Sequence, residues 1–207
     1  MGQPGDRQPC LSRPNPPDAT TMTDKPQGKR TCLYTTRQLD AIVDDMARQA
    51  AGLLTGRTRV ALVGILRRGA PLADRLHACL QAHYGLADCI RLDLQVTRYA
   101  DDLTLLYPET RLTENPLHAT LDLTGYTVLV VDDVMYRGHS MLRAVEYLAR
   151  KQPDEIRTVV LVDRGAAKLP VRSDIVGVRL DVAPPDVIEC NVPPYEAGFR
   201  IDLLQPD

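Results

Sequence analysis

Two adjacent carboxylates, Asp132 and Asp133, stand at the end of an unbroken apolar run, Val128 to Val131. Gly138 and Ser140 follow after a short turn, and then apolar residues at helical spacing: Met141, Leu142, Val145 and Leu148. The run predicts a fully buried parallel strand that ends in a loop and feeds a helix. That geometry aims backbone N–H groups and the positive end of a helix dipole at one point, which suits a phosphate. The glycine lets the backbone approach an anion, and Ser140 adds a hydroxyl donor. A carboxylate pair would repel that phosphate if it touched it, so Asp132 and Asp133 are expected to accept hydrogen bonds from sugar hydroxyls. The implied ligand is a sugar phosphate.

The elements that must position these groups alternate along the chain. A helix is expected over Thr36–Leu54, with Leu39, Ile42, Val43, Met46, Ala50 and Leu53 on one face. A buried strand at Arg59–Val63 leads into a loop, Gly64–Gly69, and a helix over Pro71–Tyr84. Pro71 suits the first turn of that helix. A strand near Ile90–Val96, a charged loop from Thr97 to about Pro116, the strand–helix unit above, a strand at Thr158–Asp163 and shorter strands near Ile175 and Phe199–Leu204 complete the pattern. Alternating strand and helix predict an α/β fold, a mostly parallel sheet with helices on both faces. Ligands of such sheets bind beyond the carboxyl ends of the strands.

Composition narrows the class. The 207 residues suit one domain with ample core. With 25% charged residues, 44% hydrophobic ones and a net charge of −2, the chain offers no overall electrostatic case for nucleic acid. The five cysteines (Cys10, Cys32, Cys79, Cys89, Cys190) show neither CxxC nor metal-ligand spacing, and their odd number favours a reducing compartment. The four scattered histidines suggest no metal site. No run approaches the ~18 apolar residues of a membrane span, and the start lacks the apolar stretch of a signal peptide. A cytoplasmic protein is expected. Residues 1–30 hold six of the sixteen prolines and almost no large apolar side chains. They are expected to be a disordered tail, with a start at Met22 or an inert extension as the plain reading. Residues 31–207 then form the domain.

The strand, Asp-Asp, Gly-x-Ser and helix resemble the phosphoribosyl-pyrophosphate (PRPP) motif of type I phosphoribosyltransferases. Three further segments agree: VGILRRGAPLA (63–73), YADDLT (99–104) and VLVDRGAAKLPVRSDIVG (160–177). In order and spacing the chain is most similar to the PyrR family, pyrimidine-operon regulators that are also uracil phosphoribosyltransferases, over roughly Thr35 to Leu204. The resemblance implies a type I phosphoribosyltransferase fold with a small hood region, at least a dimer, and Mg²⁺ carried on the pyrophosphate of PRPP. It gives Tyr136, Arg137, Gly138, His139 and Ser140 the 5-phosphate and Asp132 and Asp133 the ribose. Arg67, Arg68 and Gly69 would grip pyrophosphate, for which guanidinium forks are well matched. Arg98 and Asp101 would join the carboxylate pair in catalysis, and Asp163 with the backbone of Ile175 and Val176 would meet the base.

Departures from the family pattern bear on activity. Leu66-Arg67-Arg68-Gly69 stands where the family usually has Lys-Thr-Arg-Gly, so one cation has moved. Ala100 takes the place of a loop arginine expected to neutralise leaving pyrophosphate, with Arg98 or Arg111 as substitutes. Arg137-Gly138-His139-Ser140 replaces Thr-Gly-Arg-Thr. In the related 6-oxopurine enzymes an acidic residue and a lysine occupy the positions of Tyr136 and Asp163, so uracil is the expected base. The family's RNA-binding positions carry Asp40, Ala41, Asp44, Ala166 and Ala167 here, with Arg172 retained, so RNA is a possible but not favoured partner. The expected activity is transfer of ribose 5-phosphate from PRPP to uracil, as in pyrimidine salvage. Two alternatives stay open: a UMP- or PRPP-responsive regulator of pyrimidine genes acting by transcription attenuation on leader RNA, and a nucleotide sensor with little turnover.

Overall fold

The computed structural model describes residues 27–86, 88–97, 111–113 and 120–207. Arg98, Ala100 and Asp101 lie outside these residues, as do residues 1–26. The chain runs β1 (Gly28–Tyr34), α1 (Thr36–Leu53), β2 (Val60–Leu66), α2 (Gly69–Tyr84), β3 (Cys89–Thr97), β4 (Arg111–Thr113), β5 (Thr127–Met135), α3 (His139–Ala149), β6 (Glu155–Asp163), β7 (Ile175–Arg179), β8 (Val187–Asn191) and β9 (Arg200–Pro206).

A six-stranded sheet has the order β4-β3-β2-β5-β6-β7, in which β3, β2, β5, β6 and β7 are parallel and β4 is an antiparallel edge. The central strands read as apolar runs because both faces are covered. Val60, Leu62, Leu129, Val131, Val159 and Leu161 face a core with the buried sides of α1 and α2. Their neighbours Ala61, Val63, Val128, Val130 and Val160 face the other core, with Met141, Ala144 and Leu148 of α3. The period of two along each strand thus separates two cores. From β2 the chain moves outward to β3, and from β5 outward to β6, so the order reverses between β2 and β5. A crevice opens beyond the carboxyl ends of strands at such a switch point.

A second, three-stranded antiparallel sheet, β1-β9-β8, forms the hood. It is tied to the helices by Thr36 Oγ1, which donates to the Phe199 carbonyl at 2.8 Å, and by the Arg75 guanidinium 4.4 Å over the Phe199 ring. Thr35 opens α1 by donating its N–H to Gln38 Oε1 at 2.9 Å, part of a capping box. Two expectations change here. Residues 28–30 belong to β1 and not to a disordered tail, because Gly28, Lys29 and Arg30 pair with Pro206, Gln205 and Leu204. Their polar side chains hide the strand from a hydrophobic reading, and Arg30 is further held by Glu189 through Nε at 2.8 Å. Strand β8 has no counterpart among the expected elements, and neither has β4, which falls inside the expected charged loop. Among the described residues, no helix is long and apolar enough to cross a membrane.

Candidate active site

The carboxyl ends of β2, β5 and β6 bring together most of the residues singled out for chemistry. Strand β2 delivers Leu66 to a tight loop, Arg67-Arg68, in which the Leu66–Arg67 peptide is cis, and α2 begins at Gly69. This N-terminus packs directly on the end of β5. A Cβ on Gly69 would sit 2.6 Å from the Val131 carbonyl oxygen and 3.0 Å from Asp132 Cα. Only glycine lets the loop and the carboxylate strand approach so closely.

Asp132 and Asp133 sit late in β5, partly buried, with the Asp133 N–H donating to Asp132 Oδ1 at 3.0 Å. Burial, and next the neighbouring carboxylate, push Asp132 well above the usual aspartate range. Burial also raises Asp133, opposed chiefly by the positive charge of Arg68. A pair of carboxylates held against their preference for water is a costly arrangement that packing does not require, and such pairs cluster at functional sites. Beneath the pair, burial and then Asp133 push the Cys190 thiol well up, keeping it an unreactive thiol.

Beyond the carboxylates, Met135 is buried and the chain turns through Tyr136 and Arg137 to Gly138, whose φ of +84° makes it the left-handed residue before α3. His139 and Ser140 occupy the first turn of α3. N–H groups of a first helical turn lack intrahelical partners and point outward, the donor set expected for a phosphate. The Tyr136 ring has two guanidiniums over it, Arg164 at 4.4 Å and Arg137 at 5.2 Å. Arg164 is buried, and its Nη2 donates to the Asp186 carbonyl at 3.2 Å, linking this loop to the segment before β8. Sequence reasoning had given Arg164 no role. Its place in the Asp163-Arg164-Gly165 motif is the signal in the sequence, and its burial appears only in the fold.

Asp163 closes β6 opposite Met135 and Arg179, at the same edge of the sheet, and its Oδ1 accepts the Gly165 N–H at 2.9 Å. Ile175 and Val176 are not brought to the crevice. They pair with Val159 and Val160, and Ile175 is buried in the core. At ~3.3 Å per residue, Ile175 lies about 13 Å below the level of Asp163. The register of β7 on β6 therefore keeps both from the carboxyl end of β6, where Arg179 stands instead. Arg67, Arg68, Gly69, Asp132, Asp133, Tyr136, Arg137, Gly138, His139, Ser140 and Asp163 converge on the carboxyl ends of β2, β5 and β6.

The geometry has close relatives. A model of the phosphoribosyl transferase domain matches residues 31–197. A protein of Roseiflexus sp. (strain RS-1) called "Bifunctional protein PyrR" is 35% identical over 166 residues, 78% of this chain and 85% of the relative. The chain belongs to the PyrR family of phosphoribosyltransferases. A PyrR protein of Nostoc punctiforme agrees, 31% identical over 175 residues that span 83% of this chain and 95% of its own. Among solved structures, the hypoxanthine phosphoribosyltransferase of Trypanosoma cruzi in complex with IMP superposes with a TM-score of 0.66 at 16% identity, covering 86% of this chain and 91% of its own. At that identity the likeness speaks to the fold. It is the type I phosphoribosyltransferase fold, and the chain is a transferase of this class with a PyrR-like sequence.

Proposed function

We propose that the chain transfers the ribose 5-phosphate group of PRPP to uracil, forming UMP and pyrophosphate. The observation that carries this reading is the Asp132–Asp133 pair, set between the arginine loop after β2 and the amino end of α3. The bond from ribose C1 to pyrophosphate oxygen breaks, a bond from C1 to uracil N1 forms, and the N1 proton is released. A transition state of oxocarbenium character needs placement and charge stabilisation more than covalent help. Asp132 and Asp133 accept hydrogen bonds from the ribose hydroxyls. Residues 136–140 hold the 5-phosphate. The loop arginines receive the leaving group, assisted by Arg98. Mg²⁺ arrives as part of the substrate, held by pyrophosphate oxygens, as suits a hard cation. Asp163 and the segment held by Arg164 face the base, in place of Ile175 and Val176. A radiolabel assay with PRPP and Mg²⁺ checks the reading: UMP forms from uracil, and hypoxanthine and guanine yield little nucleotide. Equal turnover of a purine base would defeat the assignment of uracil. PRPP binding without turnover would leave a nucleotide sensor.

The regulatory activity that the family resemblance implies finds a weaker footing. Asp40, Asp44 and Asp45 lie exposed along α1, where phosphates would be repelled. Arg75 and Arg48 answer two of them, Nη1 of Arg75 lying 3.5 Å from Asp40 and Nη2 of Arg48 2.5 Å from Asp45. Few cations at such a surface release few counterions. The expected gel-shift result with a pyrimidine-operon leader RNA at physiological salt is no UMP-dependent binding below micromolar concentration. Sub-micromolar binding would make regulation the primary role. The functional unit in this reading is a homodimer, which light scattering on the same preparation checks. Its place of action is the cytoplasm, where PRPP and nucleobases are made.

A further inference from the structure

The loop after β8 meets both arginines of the pyrophosphate loop. Glu196, whose side chain is only 9% exposed, accepts at Oε1 from Arg68 Nε at 3.0 Å and Nη2 at 2.5 Å. Its other oxygen, Oε2, accepts the Val192 N–H at 2.9 Å. Both carboxylate oxygens are thus committed, and Arg68 is anchored from the hood. The neighbouring Tyr195 lies beneath Arg67, with the guanidinium 4.8 Å from the ring centre. Arg67 is exposed and Arg68 is not.

Two adjacent arginines are chemically alike, and the hood makes them different. A carboxylate beside a pyrophosphate site would repel the ligand, and here its charge is cancelled by Arg68. The Arg68–Glu196 pair is a neutral strut whose carboxylate is nearly dry, costly to break from the arginine side because the Glu196 charge would remain buried alone. Stacking on Tyr195 uses the face of the Arg67 guanidinium, whereas phosphate oxygens are bound by its N–H edge, so the two contacts coexist.

We propose that Tyr195 and Glu196 are positioning residues that divide the two arginines: Tyr195 presents Arg67 to the leaving pyrophosphate, and Glu196 holds Arg68 as a fixed cation between the hood and Asp133. The inference rests on the phosphoribosyl-transfer reading and goes beyond it, because it assigns the pyrophosphate contact to one arginine and gives the hood a part in it.

Calorimetric titration of the full chain with inorganic pyrophosphate and Mg²⁺, paired with steady-state kinetics, tests it. Arg67→Ala weakens pyrophosphate binding by roughly a hundredfold, as expected for loss of a charged donor. Tyr195→Ala weakens it by roughly tenfold and Tyr195→Phe restores it, because the ring and not the hydroxyl supports the guanidinium. Glu196→Gln keeps the size of the side chain and raises KM for PRPP by roughly tenfold, with KM for uracil unchanged. The proposal fails if Tyr195→Ala binds pyrophosphate as wild type does, if Glu196→Gln leaves KM for PRPP unchanged, or if Arg68→Ala costs more affinity than Arg67→Ala. It also fails if Glu196→Gln lowers the melting temperature and raises both KM values together, the mark of a merely structural strut. Wild-type protein that bound neither pyrophosphate nor PRPP would overturn phosphoribosyl transfer itself, a separate outcome.

Discussion

Replacing Asp132 and Asp133 together by asparagine is expected to remove transfer and stabilise the protein. Loss of the acceptors for the ribose hydroxyls should lower turnover by roughly 10³-fold, the scale of a lost charge-stabilising contact. The stability effect has the opposite sign. Burial, and for Asp132 next its neighbour, raise both carboxyls above their ordinary range, with Arg68 the chief restraint on Asp133. An acid whose folded pKa lies above its unfolded one contributes stability that is complete below the unfolded value, about 3.9 for aspartate, and lost as pH rises through the folded value. At neutral pH and above, the pair therefore holds the native state down. Asparagine is neutral at every pH and relieves this. If about 1 kcal/mol is relieved, the melting temperature at pH 8 rises by roughly 2–4 °C. The gain shrinks toward pH 4. Calorimetric melting across that range, beside the uracil assay, checks both halves. A double variant that melts below wild type at pH 8, or turns over at the wild-type rate, contradicts this account of the carboxylates.

Gly69→Ala should be a strongly damaging single methyl group beside the site. The added Cβ would meet the Val131 carbonyl oxygen at 2.6 Å and Asp132 Cα at 3.0 Å. Both are backbone atoms of the central strand, so no rotamer change relieves the clash, and α2 must move off β5. Overpacking of this kind costs about 1–3 kcal/mol. A displacement approaching 1 Å between the arginine loop and the carboxylates would lower turnover by roughly 10²-fold. Denaturant unfolding with an unchanged slope and a lower midpoint, together with weaker PRPP binding, is the expected pair of results. Gly52→Ala serves as the control, because a Cβ there meets nothing within 4 Å. In an exposed helical turn it should be neutral or slightly stabilising. Equal losses in the two variants would show that the clash at Gly69 is not what matters.

How much of this was legible in the chain follows from range. The β5–α3 unit could be read because its signals are local: an apolar run, then carboxylates, then glycine, then helical spacing. The same holds for β2, whose buried run leads into Arg67-Arg68-Gly69. Strand β1 could not, since its exposed polar residues become a strand only by pairing with β9 at the other end of the chain. Ile175 and Val176 look like a base-facing segment in sequence. Pairing register, which depends on the neighbouring strand and not on a local pattern, sets them opposite Val159 and Val160 instead.

The sequence by itself determined the fold class, the glycine-containing turn from β5 into α3 and the carboxylate pair, because these arise from hydrophobic period and from residue types a few positions apart. Tertiary structure alone decided which groups share the crevice. Glu196 comes to Arg68 across 128 residues, and Arg164 reaches back over Tyr136 from the next strand. It also decided what the carboxylates are worth, since their raised pKa values come from burial and proximity, which exist only once β2, β5 and the hood have closed around them.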